Sequence, residues 1–181
     1  MYDLKRVIDE LMEKDDIKTD DIPNIDIYMD QILSLFDKYF PYNDDEQRLT
    51  KTMVNNYAKG NIIKPPSKKK YNKEHILTIV IICILKRNMS LSDIKKVFDK
   101  ISEIDVEDNI NGSEVEAVYD SYLIKKAEMN NKISSKIDFI LSELKNDDIS
   151  ISEKKLLDVL ILSYYSNLLG EAARTIIREE E

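Results

Sequence analysis

Turn-forming residues are nearly absent from this chain. Glycine occurs three times and proline four times in 181 residues. Sandwiches and barrels need many tight turns, so this scarcity predicts an all-α fold of long helices joined by few loops. Hydrophobic residues make up 43% and charged residues 34%, enough for a packed core. The single cysteine, Cys83, excludes an intramolecular disulfide and fits a reducing cytosol. Met1 is followed by Tyr2-Asp3-Leu4-Lys5, with no charged-then-apolar leader; a cytoplasmic location is expected. The most apolar run, Ile76 to Leu85, is broken only by Thr78. A membrane span needs roughly 18 apolar residues, so this run reads as core and no membrane partner is expected. The richness in Ile, Lys, Asn and Asp suggests an AT-rich bacterial genome.

Apolar spacing places the helices. Leu4, Val7, Ile8, Leu11 and Met12 share one helical face. The acidic stretch Asp15 to Pro23 reads as a linker. A helix from about Asp26 to Phe40 carries Met29, Ile32, Leu33, Phe36 and Tyr39 in register and ends at Pro41. Thr50 caps a short helix that stops near Lys59, before Gly60 and Asn61. Residues 62–71 contain Pro65-Pro66 and three lysines; they form a small two-stranded turn rather than a helix. Asn72 caps Lys73 to Arg87, a helix despite its β-branched content because it is long for a buried strand and has no partner strands. Ser90 caps a short helix through Ile94, Val97 and Phe98, and residues 102–112 form an acidic loop.

Two capping boxes, Ser113 with Glu116 and Ser150 with Glu153, open two long helices. The first carries Val115, Val118, Tyr122, Met129, Ile133, Ile137, Ile140 and Leu144; the second carries Leu156, Leu157, Leu160, Tyr164, Leu168, Ala172 and Ile176. Together they predict a long antiparallel helical hairpin, about 40 Å long at 1.5 Å per residue, that makes a homodimer. The expected organisation is an N-terminal amphipathic helix and linker over 1–21, a helical domain over 22–105, and the hairpin over 106–181.

The net charge of −8 opposes nucleic-acid binding as a sum, but its distribution does not. From Arg48 to Lys73 there are eight basic residues and no acidic one, so the window carries +8 and the remainder −16. A helix, a break, a capped helix with polar residues, a basic proline-containing turn and a core helix follow in the order of a winged helix-turn-helix. A helix fits the major groove. Asn55 and Asn56 suit adenine edges, Thr50 and Thr52 suit phosphate or base, and Tyr57 either touches a phosphate or packs the core. Lys68-Lys69-Lys70 suit the backbone, and Arg48, Lys51 and Lys59 complete the expected double-stranded DNA interface.

These segments resemble the N-terminal domain of MerR-type regulators. The residues that carry the likeness are Tyr57, Ile62-Ile63 with Pro65, Lys69 to Tyr71, Asn72-Lys73-Glu74-His75, and Ser90-Leu91-Ser92-Asp93-Ile94-Lys95. More closely, IPNIDIYMDQ and LTKTMVNNYAK resemble a domain-of-unknown-function family of low-GC Gram-positive bacteria, often described as MerR-like. The likeness spans about 22–100 and implies a MerR-like winged helix-turn-helix and a DNA-binding transcriptional regulator. Two departures stand out. Asn55 sits where the family usually has Arg, and the loop from Pro41 to Leu49 is longer.

Other chemistry is poorly represented. His75 is the sole histidine and reads as a surface residue at a helix start. Cys83 reads as a small core residue. The paired Asp residues at 15–16, 20–21, 44–45 and 147–148 lack calcium-loop spacing. No metal, no cofactor and no catalytic role is expected. Tyr119, Tyr122, Tyr164 and Tyr165 read as amphipathic packing rather than a ligand pocket. The alternative to a DNA-binding regulator is a helical protein–protein interaction module without DNA binding.

Overall fold

The computed structural model describes the backbone of residues 3–108, 113–143 and 150–178, and their side chains except at 100–108, 113, 134–135, 137–138 and 141–143. Among the described residues there are seven α-helices and one two-stranded sheet, so the chain is mostly helical. None of those helices is long and apolar enough to cross a membrane. The chain divides into two compact units, Asp15–Lys125 and a second made of Met1–Lys14 with Lys126–Glu181. The first extends beyond the 22–105 span read from the sequence at both ends.

Helix α4 (Lys73–Leu85) is the centre of the Asp15–Lys125 unit. Ile76, Leu77, Ile79, Val80, Ile82 and Cys83 are all buried, and each large aliphatic side chain contributes roughly 1.5–3 kcal/mol by leaving water. A helix apolar on all sides must be covered on all sides. The cover comes from Ile32 and Phe36 of α2 (Met29–Tyr39), Val54 and Tyr57 of α3 (Lys51–Lys59), Ile94 of α5 (Leu91–Asp108) and Tyr119 of α6 (Ser113–Glu143). Burial pushes the Cys83 thiol up to about 12, which suits a packing residue. Asn72 caps α4 by accepting from the His75 N–H at 3.0 Å. His75 Nδ1 accepts in return from the Asn72 N–H at 3.3 Å. The lone histidine is thus half of a capping box.

Several expectations are corrected. The 15–23 segment is no linker: Ile17 and Ile22 are buried in the core and Thr19 opens a single 3₁₀ turn. Two bonds strap it to α6, from the Tyr119 hydroxyl to the Ile17 carbonyl at 2.7 Å and from the Thr19 hydroxyl to the Asp120 carboxylate. Tyr119 is therefore core, with its phenol raised by burial, while Val118 of the expected stripe is exposed. The expected acidic loop is helical as far as Asp108, because Ile101 and Ile104 continue the apolar spacing and no glycine or proline intervenes. Residues 109–112 lie outside the described residues.

The small sheet also differs. Strand β2 (Lys70–Tyr71) pairs antiparallel with β1 (Ile27–Tyr28), which immediately precedes α2, whereas the sequence predicts that the 62–71 segment pairs with itself. Pro65 and Pro66 have no N–H to donate, so the incoming arm cannot build a ladder; Ser67 and Lys70 alone bridge across the turn.

In the second unit, α1 (Leu4–Met12) has no buried residue, and the Asn130 side-chain amide donates to its Met12 carbonyl at 3.2 Å. The Ser150–Glu153 capping box is present, with bonds of 2.8 and 3.4 Å, and opens α7 (Ile151–Arg178). The turn of the expected hairpin, residues 144–149, lies outside the described residues. Among the described residues of α7, Asp158 and Ile177 are buried. Leu156, Leu160, Tyr164, Leu168 and Ile176 of the expected stripe are instead 48–68% exposed.

The strap yields a test. Tyr119→Phe leaves the Ile17 carbonyl without its donor, and the expected cost is about 1–3 kcal/mol. Urea unfolding with an unchanged midpoint would show that the segment around Ile17 is not clamped to α6.

Candidate nucleic-acid interface

Helix α3 is positioned from both ends. At its start the Thr50 hydroxyl accepts from the Met53 N–H at 3.2 Å, the expected N-cap. The preceding loop is held by Arg87. Its guanidinium donates to Glu46 at 3.1 and 2.8 Å and to the Pro41 carbonyl at 2.8 Å, and it lies over the Phe40 ring. Burial works to raise the Glu46 carboxyl, but bonds from Arg87 and the Asn43 N–H outweigh it and hold the pKa below its ordinary value. The Leu49 N–H donates to the Tyr42 hydroxyl at 2.9 Å, and burial raises that phenol to about 12.

One face of α3 packs and the other is open. Val54 and Tyr57 are buried. Tyr57 is thus a core residue with a phenol pKa raised by burial, and the expectation that it reaches phosphate is corrected: 3.6-residue periodicity puts it one turn below Val54 on the inward face. Lys51, Thr52, Asn55, Asn56 and Lys59 are all exposed. Their spacing makes a continuous outward face with no acid and no large apolar side chain.

The basic turn is tight. Lys70 N–H donates to the Ser67 carbonyl at 2.9 Å, and Lys68 and Lys69 between them have φ of 49° and 64°. Positive φ at both central residues is the hairpin pattern that favours Asn-Gly. Lysines there cost backbone energy that Gly or Asn would not. The turn reaches α3 through the start of α2. Lys70 Nζ lies 5.2 Å from the Tyr28 ring centroid, and two residues on Asp30 pairs with Lys51 at 2.6 Å. Neither Tyr28 nor Asp30 stands out in the sequence, because nothing local to them signals contact with residues 20 and more positions away.

The eight basic residues are not equivalent. Arg48 pairs with Asp37 at 3.8 Å, Lys51 with Asp30, Lys64 with Glu74 at 3.1 Å and Lys73 with Glu116 at 2.8 Å. Lys59, Lys68 and Lys69 have no ion pair among the described residues. Half of the +8 window is thus matched by acids from α2, α4 and α6. Between the loop that follows α3 and the helices α4, α5 and α6 lies a cavity of about 280 Å³, lined by Ile62, Ile63, His75, Phe98 and Val115 among others. Its charged lining is already paired, Lys64 with Glu74 and Asp99 with Lys95. Burial lowers the His75 pKa. Among the described residues no group of three or more His, Cys, Asp or Glu is placed to hold a metal ion.

These features define a compact helical domain with a minimal sheet, presenting one polar helix face beside a lysine turn. The chain belongs to the family described as Domain of unknown function (DUF1836), whose model matches residues 17–122. That span nearly coincides with the Asp15–Lys125 unit, so the family's domain includes the strap and the first turns of α6. No curated protein and no solved structure matches the chain.

The Glu46 clamp gives a pH signature. Its carboxyl pKa is lower folded than unfolded, so its contribution is complete above the ordinary value of 4.5 and is lost as pH falls through the folded value. Glu46→Gln should be less stable than the native chain at neutral pH, with the gap closing in acid. Denaturation midpoints that stay equally separated across this range would rule the clamp out.

Proposed function

We propose that the Asp15–Lys125 unit binds double-stranded DNA as a MerR-like winged helix-turn-helix, acting as a transcriptional regulator. In this reading α3 enters the major groove and the Ser67–Lys70 turn is a short wing beside the phosphate backbone. The observation that carries it is the pair of lysines at positive φ. Those positions are most stable with Asn or Gly, so positive charge is kept there against the preference of the backbone. The acid-free outward face of α3 supports the same reading, with Asn55 and Asn56 offering amides to base edges. Lys51, Thr52 and Lys59 share that face, Arg48 precedes it, and Lys70 belongs to the wing.

Lys68→Asn with Lys69→Gly tests it, since stability and binding should then move in opposite directions. The variant should be more stable by about 1–2 kcal/mol. It should also bind specific and random duplexes more weakly, with a salt slope lower by about 0.9 for each phosphate that is no longer neutralised. Asn55→Ala and Asn56→Ala should instead leave random-DNA affinity nearly unchanged, one of them costing specific binding on the order of 1–3 kcal/mol. Fluorescence anisotropy across a salt series reads both. Native protein without salt-dependent binding to any duplex would end this reading in favour of a helical interaction module.

Homodimerisation belongs to the same proposal, because two copies read two half-sites where one binds weakly. Its support is α7, whose large apolar residues are exposed along most of its length. Static light scattering at tens of micromolar should give twice the chain mass of 21.1 kDa. A monomeric mass would refute it.

A further inference from the structure

We propose that Asp30 and Asp37 on α2 limit how many phosphates this surface engages, holding Lys51 and Arg48 away from the DNA backbone. The inference rests on the DNA-binding reading and adds residues to it that the basic window does not contain.

The two acids lie seven residues apart on α2 and so share one helical face. Asp30 reaches Lys51, the first residue of α3, and Asp37 reaches Arg48, just before its N-cap. Both pairs are solvent-exposed, with Asp30 at 77% and Asp37 at 64% side-chain exposure. Exposed pairs of this kind add little to folding stability, so holding the fold together does not explain them. Their consequence is electrostatic. A phosphate arriving at Lys51 must displace a carboxylate at 2.6 Å and then sit beside it. The same holds in weaker form at Arg48, whose partner is 3.8 Å away and whose guanidinium also lies over the Tyr42 ring. Counterions leave the DNA in proportion to the phosphates neutralised, and a lysine already matched by a carboxylate neutralises a phosphate less fully. The surface therefore engages phosphate through Lys59 and the Lys68–Lys70 turn, while the start of α3 is held at reduced positive potential. Ser34 lies between the two acids on the same helix, and its hydroxyl donates to the Asp30 backbone carbonyl rather than to either carboxylate.

The test uses the full chain and a mixed-sequence duplex, read by fluorescence anisotropy across a salt series. Asp30→Asn with Asp37→Asn should bind about tenfold more tightly at low salt, and its slope should steepen by about 1.8, or 0.9 for each of two phosphates gained. Adding Lys51→Gln to Asp30→Asn should remove the part of the gain that comes from Lys51. The single variants are measured too, so a folding defect in the double variant leaves the question answerable. Glu10→Gln with Glu171→Gln makes the same change in net charge on α1 and α7. If this control gains as much affinity, net charge is the cause and the proposal is wrong. If the α2 variants bind as the native chain does while Lys68→Asn with Lys69→Gly weakens binding, the proposal alone falls. If no protein in the series binds any duplex, the DNA reading falls first and takes this inference with it.

Discussion

A helix with no polar side cannot sit at the edge of anything. Ile76, Leu77, Ile79, Val80, Ile82 and Cys83 leave α4 without a face that water would tolerate, and the first compact unit is what results when other elements cover it. The helices α2, α3 and α5 each contribute a narrow apolar stripe. They do not enclose it alone, and the remaining cover comes from the 15–23 segment and the first turns of α6. The family match, residues 17–122, takes in both of these covering segments as well as the basic and proline-containing motifs. The domain is defined by what α4 needs for closure.

That same requirement separates what is readable in the sequence from what is not. Elements whose signals are local are legible. The caps at Thr50, Asn72 and Ser150 and the helices they open lie where expected, as does the stop after Lys59. Elements defined by distant partners are not. Ile17 and Ile22 are two apolar residues among acids, and their burial depends on Tyr119 some hundred residues away. β1 has only two residues and exists because β2 needs a partner that prolines deny it nearby. Analogy with a DNA-reading helix puts Tyr57 on the outward side, although the helical period with Val54 already points it inward. The acidic segment after α5 misleads by composition, since charge alone does not stop a helix that lacks glycine and proline.

The basic window carries a related lesson about counting charge. A run of 26 residues with eight cations and no acid looks like an isolated positive stripe. Folding brings Asp30, Asp37, Glu74 and Glu116 to four of those cations from three other helices. What remains is smaller and more directional: the C-terminal end of α3 and a two-residue turn. At a net charge of −8 the whole chain repels a polyanion at long range, so association would depend on this local patch at separations within about 10 Å at moderate salt.

The turn shows how stability and charge are set against each other in a small element. Ser67 to Lys70 closes by one backbone bond, and strand β2 beyond it is two residues long. Such a turn has little ladder to hold it, so the residues at its tip decide its conformation more than they would in a long hairpin. Asn-Gly would favour it, and lysines oppose it. The conformation persists because the flanks are anchored: Tyr71 is buried in the core, Pro65 and Pro66 stiffen the approach, and Lys70 rests over Tyr28. The anchoring favours the turn's conformation, and a charged tip already in place could meet a phosphate without first ordering itself. A flexible lysine loop of the same charge would attract DNA as strongly at a distance and hold it less well on contact. The strained backbone and the exposed charge are therefore one feature, and it depends on the same packed core that α4 organises.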